Sequence, residues 1–517
     1  MDSHRFRVKK ISRNEMIILI FSLFIGFALR FYTFDQKSLW IDEIHTFNES
    51  RDDLKGQIRY YKEDPTNLHP PLFFILTHLF YPFSKPERDL RIIPLIFGVL
   101  EIPMIYLLSR SFSSSIALPC TLALTWMTYH IYFTQDGRMY SLALFLGTAG
   151  LYFFIKHLQT SKKRYLVFTG LFYALAFHTS YSSIPFIMVS QLLWFYKTNE
   201  SQNKPGLSSL LILNGATFLL CAPWLFFLLV HYRGQPVMDP LNIQELGPLS
   251  SFIYGIFNDW VPQIPLMTVS VTLLILFPLF SRSKVNAFLL LLILISPIVG
   301  LYLYCKLLRI TQMINSRYFI NFLPLFFITL FLSLEAIESK FERLKRRVRP
   351  KYLFLILFVA SNILILPLYY HSEKQDFRGV VNYLHHQLKD GDKLFVKTFT
   401  YIPGILHYFK IYPDNRHYII PYHWKIPGKE FEFRVPLVSQ KRAFTIYHSN
   451  IDYSRYVADG SRLWILVGQE AAEEIKNNLP CVLKGYFDGS FANFRRFPTD
   501  ASMYLFLWDP SAFGKKN

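Results

Sequence analysis

Eleven apolar runs divide the first 370 residues, at 16–34, 92–108, 116–134, 140–155, 165–180, 183–196, 208–231, 264–280, 285–304, 318–337 and 352–370. Each approaches the roughly 20 residues an α-helix needs to cross the hydrocarbon core of a bilayer. Several contain Pro or Gly, which membrane helices tolerate when neighbours satisfy the freed backbone groups. Composition agrees: 52% of residues are hydrophobic and 18% are charged, where soluble domains carry roughly a quarter charged residues. The run at 16–34 is too long for a signal-peptide core and lacks a small-residue cleavage site, so it reads as an uncleaved first span.

A net charge of +19 raises nucleic acid as a partner, but the distribution of the charge excludes it. The basic residues cluster in short segments between apolar runs, as topology in a membrane requires. One further apolar stretch, Pro71–Phe83, is only about a dozen residues, the length of an interfacial or re-entrant helix. Charge tests that reading. With 71–83 in the interface, Arg5, Arg7, Lys9, Lys10 and Arg13 face the cytoplasm together with loops 109–115, 156–164, 197–207, 281–284 and 338–351. These loops hold Arg110, Lys162, Lys163, Arg164, Lys197, Lys204, Arg282 and the basic run Lys340–Lys351. If 71–83 spanned, the whole basic set would flip outward. The loops left on the other side are 35–91, 135–139, 181–182, 232–263, 305–317 and everything beyond about 371.

That tail changes character. Asp376–Leu388 reads as an amphipathic helix, Lys393–Val396 and Arg462–Val467 as strands, Gln469–Leu479 as a helix and Ser502–Trp508 as a last strand. The expected architecture is a polytopic α-helical membrane domain over 1–370 and a small extracytoplasmic α/β domain over 371–517. The four cysteines show no metal-ligand spacing, and nothing indicates that Cys305 and Cys481 pair.

Chemistry-bearing residues gather in the outward loops. Asp42 and Glu43 follow the first run in Leu39-Trp40-Ile41-Asp42-Glu43. Adjacent residues point in different directions, so one carboxylate faces a site while the other supports it. Such a carboxylate can accept a proton from a hydroxyl or stabilise oxocarbenium character; a solvated acidic pair has the same pattern. His69 precedes Pro70-Pro71-Leu72, where paired prolines suit a helix start, so His69 belongs at the positive helix end. Gln135-Asp136-Gly137-Arg138-Met139-Tyr140 puts an acid and an arginine at a membrane-facing helix end, costly unless they are solvated, paired or functional. Arg309 and Arg317, the latter in Asn315-Ser316-Arg317-Tyr318, offer planar forks of donors for phosphate or charges that reach to lipid headgroups. His178 reads as an interfacial residue and Asp390-Gly391-Asp392 as a turn. No Walker loop and no G-x-G-x-x-G occurs, which removes the usual nucleotide cradles.

In this order the motifs resemble the GT-C membrane glycosyltransferases, and most nearly glycosyltransferase family 39, which holds protein O-mannosyltransferases and the lipid A aminoarabinose transferase. The likeness runs over about 16–340, and the tail is similar only in general pattern, including its Asp376-Phe377-Arg378 start. The resemblance implies a GT-C fold and an inverting enzyme with a polyprenyl-phosphate sugar as donor, working at the lipid bilayer. It implies Asp42 as base within the Asp42–Glu43 pair and Asp136 as a second acid. His69, Arg138 and Arg317 become candidates to neutralise the departing phosphate. A histidine stands where some members have lysine, which makes the charge at that position pH-dependent. The acceptor is a glycolipid, a cell-envelope glycan or a protein. The sequence shows no required cofactor, although some relatives bind a divalent metal near the acids. Two other readings remain: a transporter or flippase of lipid-linked glycans, for which Arg30 and Glu101 would be intramembrane charges on a pathway, and a noncatalytic glycan-binding assembly subunit.

Overall fold

The computed structural model describes residues 11–63, 68–196, 205–232, 248–307, 316–341, 349–397, 401–412, 431–437, 442–448, 460–489 and 502–510. The basic residues Arg5–Lys10, Lys197, Lys204 and Arg343–Arg347 lie outside them, as do Asn67, Arg309 and Asn315. Backbone contacts divide the chain into two units, one of Met1–Tyr32, Leu54–Leu79 and Arg91–Leu366, the other of Thr33–Asp53, Phe80–Leu90 and Pro367–Asn517. The composition change near 371 marks the tail, and two earlier segments group with it.

The first unit is a helical bundle, and every one of the eleven apolar runs is helical. Among the described residues seven helices are long and apolar enough to cross a membrane: Arg13–Phe31, Pro86–Phe112, Tyr140–Thr160, Ser208–His231, Lys284–Leu307, Ser316–Lys340 and Pro350–His371. Leu249–Trp260 and Ile264–Phe280, bent by 111° at their junction, make an eighth if taken as one span. The chain is a multi-pass membrane protein. The remaining runs are shorter than a span or broken. Lys163–Phe177 has 15 residues, about 22 Å at 1.5 Å per residue against a core near 30 Å. The run at 116–134 breaks at Met127 into Ala117–Trp126 and Thr128–Thr134. Asn362 bonds the break, its Oδ1 accepting from Thr128 N–H at 2.8 Å. The stretch after His69 is the helix Pro71–Thr77 and a 3-10 turn to Phe80, too short to cross.

Local signals account for the helix starts. Ser12 and Glu15 form a reciprocal capping box at the first helix, with bonds of 3.2 and 2.8 Å, so two of the orphan donors at that end are satisfied. The four cysteines are free thiols.

The second unit is built on a six-stranded mixed sheet ordered β2-β3-β1-β4-β6-β5. The strands are β1 Lys393–Val396, β2 Phe431–Leu437, β3 Arg442–His448, β4 Leu463–Gly468, β5 Val482–Phe487 and β6 Met503–Trp508. β1 lies parallel between β3 and β4, and β2, β6 and β5 extend the sheet antiparallel. Alternation along the strands splits the core in two. Leu394, Val396, Trp464, Leu466, Leu505 and Leu507 face the helices Phe377–Gln387 and Ile402–Tyr408. Phe395, Leu463, Ile465, Val467 and Phe506 pack with Ala472 and Ile475 of Gln469–Asn478. The first of these clusters also contains Leu39, Ile44, Phe47, Phe83 and Leu90. The segment after the first membrane helix is therefore part of the core of the sheet unit.

Candidate active site

The acidic pair opens the helix Ile41–Ser50 in the sheet unit. Glu43 is fully buried, and its Oε2 accepts the N–H of Trp40 at 3.3 Å. Asp42, next to it, is half-buried. Neighbouring carboxylates thus differ as the change of direction along a helix demands: one turns back to close its own helix start, and the other remains reachable. Thr46 fixes the first turn by bonding the carbonyl of Asp42 at 3.2 Å.

Within the bundle unit, the Gln135–Tyr140 stretch joins Thr128–Thr134 to Tyr140–Thr160. Asp136 and Arg138 are both buried there, and the Arg138 N–H bonds the Asp136 carbonyl at 2.6 Å. Gln135 secures the turn from outside, its Nε2 donating to the carbonyls of Arg30 at 2.9 Å and Tyr32 at 2.6 Å. Tyr140 is fully buried, edge-on to Phe133 at 5.2 Å. The guanidinium of Arg317 lies 5.6 Å from the centre of the Tyr140 ring and 5.5 Å from that of Tyr318. Two motifs separated by some 180 residues therefore meet through Tyr140. Arg317 is thereby placed beside the residue that ends the stretch carrying Asp136 and Arg138.

His69 is half-buried, with its ring stacked on Phe74 at 5.8 Å. It precedes the N-cap residue Pro70. Residues at the end of the fifth apolar run and just beyond it hold this turn: Tyr181 donates its hydroxyl to the Leu68 carbonyl at 3.0 Å, and the His178 carbonyl accepts the Leu72 N–H at 2.8 Å. His178 is thus a backbone support. Asp390-Gly391-Asp392 is a turn, with Gly391 at φ +79° and Asp392 Oδ2 accepting from Lys389 N–H and Trp464 Nε1.

The two intramembrane charges are bonded between helices. Arg30 donates to the carbonyls of Gly26, Leu124 and Thr125, each at 3.0 Å, and its Nη2 lies 2.7 Å from His130 Nδ1. Glu101 takes the Thr148 hydroxyl at 2.8 Å. Gly98 allows the packing beside them, because a Cβ there would sit 1.9 Å from Thr134. These bonds tie Arg13–Phe31 to Ala117–Trp126 and Pro86–Phe112 to Tyr140–Thr160.

Sequence reasoning passed over some neighbours of the motifs. Tyr129 bonds Ser316 at 3.2 Å, and Ser316 in turn bonds the buried carboxylate of Asp259. An acid closing the apolar stretch Phe252–Trp260 was the available signal. In the sheet unit, Glu373, Gln375 and Tyr408 touch the acidic stretch and carried no signal at all. Among the described residues no three His, Cys, Asp or Glu side chains assemble to hold a metal ion.

Residues 68–227 match the family described as dolichyl-phosphate-mannose-protein mannosyltransferase. The fold is similar to that of ArnT from Cupriavidus metallidurans in the apo state, with a TM-score of 0.54 at 10% identity, covering 95% of this chain and 97% of that one. The same protein bound to undecaprenyl phosphate matches with a TM-score of 0.50, 11% identity and the same coverage. No curated protein matches by sequence. The GT-C fold expected from the motifs is the fold found, with its C-terminal sheet domain.

Proposed function

We propose that this chain is an inverting glycosyltransferase that moves a sugar from a polyprenyl-phosphate donor to a hydroxyl acceptor on the extracytoplasmic face of the plasma membrane. The observation that carries the reading is the whole-length likeness to ArnT, a protein solved with undecaprenyl phosphate bound. The match of 68–227 to the family described as dolichyl-phosphate-mannose-protein mannosyltransferase supports it. The basic loops support an N-terminus in the cytoplasm and a sheet domain outside it. Outside the cytoplasm no nucleotide sugar is supplied, so an activated sugar has to arrive on a lipid.

In this reading the acceptor hydroxyl gives its proton to the Asp42 carboxylate as its oxygen attacks the anomeric carbon. The bond from that carbon to the phosphate oxygen breaks, its electron pair stays on the phosphate, and polyprenyl phosphate leaves from the opposite face. Configuration inverts. Glu43 holds the start of the Asp42 helix, and Asp136 orients the substrate hydroxyls. Arg138, Arg317 and His69 stabilise the charge that develops on the phosphate, the usual electrostatic device for such a leaving group. The acceptor is a glycolipid, an envelope glycan or a protein.

The test is mass spectrometry of cell glycans and of polyprenyl-phosphate sugars in a deletion strain complemented with Asp42→Asn. Loss of a general base costs on the order of 10²–10⁴ in rate, so the donor lipid accumulates and one glycan disappears. A folded Asp42→Asn protein that restores the glycan in full removes Asp42 from the chemistry.

A further inference from the structure

Four consecutive backbone N–H groups, those of residues 38 to 41, each bond to a side chain. Ser38 N–H goes to Glu373 Oε2 at 2.9 Å, Leu39 N–H to the Tyr408 hydroxyl at 2.7 Å, Trp40 N–H to Glu43, and Ile41 N–H to Gln375 Oε1 at 2.8 Å. The first donors of a helix have no intrahelical partner, and Trp40 supplies no side-chain cap bond of its own. Three of the four acceptors come from the C-terminal tail, and all lie in the same unit as residues 38–41.

The anchors are themselves braced. The Tyr408 hydroxyl accepts from Leu39 and donates to Glu87 Oε1 at 2.9 Å, which also pairs with Arg378 Nη2 at 3.3 Å. The Arg378 N–H bonds Ser38 Oγ at 3.3 Å, and Lys37 bonds the Tyr369 carbonyl. Asp376 caps the next helix through Gly379 N–H at 2.7 Å. A Cβ at Gly379 would come within 2.0 Å of that carboxylate, so the cap needs glycine. The Asp376-Phe377-Arg378 start of the tail thus caps its own helix and bonds Ser38, next to the anchors Glu373 and Gln375.

We infer that Glu373, Gln375 and Tyr408 are positioning residues for Asp42. The C-terminal domain sets the direction of the catalytic carboxylate by holding three of the four amides that precede it. This rests on the role given to Asp42 above. A carboxylate at the second position of a helix moves with the first turn, and a shift of about 1 Å in such a group lowers rate by up to about 10²-fold.

The experiment uses the full-length protein in lipid nanodiscs, with Tyr408→Phe, Gln375→Leu and Gln375→Glu, read by amide hydrogen exchange and by complementation of the deletion strain. Tyr408→Phe removes only a hydroxyl, and Gln375→Glu keeps an acceptor oxygen. The expected result is exchange about tenfold faster in the 37–43 peptide with the β4 peptide unchanged, and transfer about tenfold lower. Gln375→Glu restores both where Gln375→Leu loses them. Unchanged exchange at 37–43, or faster exchange with full transfer in a protein whose Asp42→Asn form is dead, overturns the inference. Full transfer by Asp42→Asn instead strikes the site reading, and the exchange data then judge the anchoring separately.

Discussion

Two short segments carry the acids, and they are held in opposite ways. Residues 38–41 are held by their backbone: their N–H groups receive side chains from elsewhere, three of them 334 to 369 residues further along the chain. The 135–140 stretch holds others: Gln135 reaches out to the carbonyls of Arg30 and Tyr32, and Ser141 bonds the Phe133 carbonyl at 2.8 Å. The difference separates kinds of vulnerability. A segment that carries its own anchor fails when its packing fails. One that borrows its anchors fails one hydrogen bond at a time, with the fold intact.

The largest expected effect tests the packed side of that contrast. Arg30→Leu removes the donors that reach Gly26, Leu124, Thr125 and His130 across a fully buried junction. Orphaned buried acceptors cost about 1–3 kcal/mol each, so the loss is about 4 kcal/mol, seen as a sharp fall in the thermal midpoint of the solubilised protein. Arg30→Lys keeps part of it. An Arg30→Leu protein of unaltered midpoint would mean that the 124–135 break is held by something else.

The borrowed side has its own weak point in His407. The ring is buried against Phe47 at 4.7 Å and beside Tyr408 at 4.9 Å, and burial depresses its pKa from 6.5 to about 4. Glu87 opposes that depression and Arg378 reinforces it. The unfolded chain therefore binds the proton more readily between these limits. Stability from His407 is complete above pH 6.5 and is lost as pH falls towards 4, by about 3 kcal/mol for some 2.5 units. The sheet unit of the native protein should melt at lower temperature at pH 5 than at pH 7, and His407→Phe should flatten that dependence. A pH dependence that persists in His407→Phe assigns the proton elsewhere.

How much of this was legible follows from the same contrast. The bundle was readable because each membrane helix satisfies its own backbone, so an apolar run is nearly sufficient evidence. The tail's helix at Phe377–Gln387 and strands at 393, 463 and 503 were readable from local alternation. Gln135–Tyr140 and Arg317 were readable as motifs, although only folding shows that Tyr140 joins them. The break at Met127 was hidden, because its partner Asn362 lies two hundred residues away in an apolar run. The strands at 431, 442 and 482 fell between the elements read in the tail, and the helices Ile41–Ser50 and Leu54–Glu63 fell in a segment read as loop. Glu373, Gln375 and Tyr408 were invisible for a related reason. A side chain that bonds a remote amide leaves no periodicity and no spacing to find.

Gln135 gives the smallest effect and the finest cut between the two modes. Gln135→Met removes two bonds to carbonyls at the C-terminal end of the Arg13–Phe31 helix. At about 1 kcal/mol each, the cost is about 2 kcal/mol. Because the bonded groups are the carbonyls of a helix end, the loss should fray that last turn, where the Tyr32 N–H bonds the Ala28 carbonyl. Exchange should therefore rise at residues 28–32 as well as at 135–140, whereas substitutions at Gln375 or Tyr408 raise it only at 37–43. If Gln135→Met loosens 135–140 alone, the stretch is held through its own turn, and the reciprocal arrangement drawn between the two segments fails on this side.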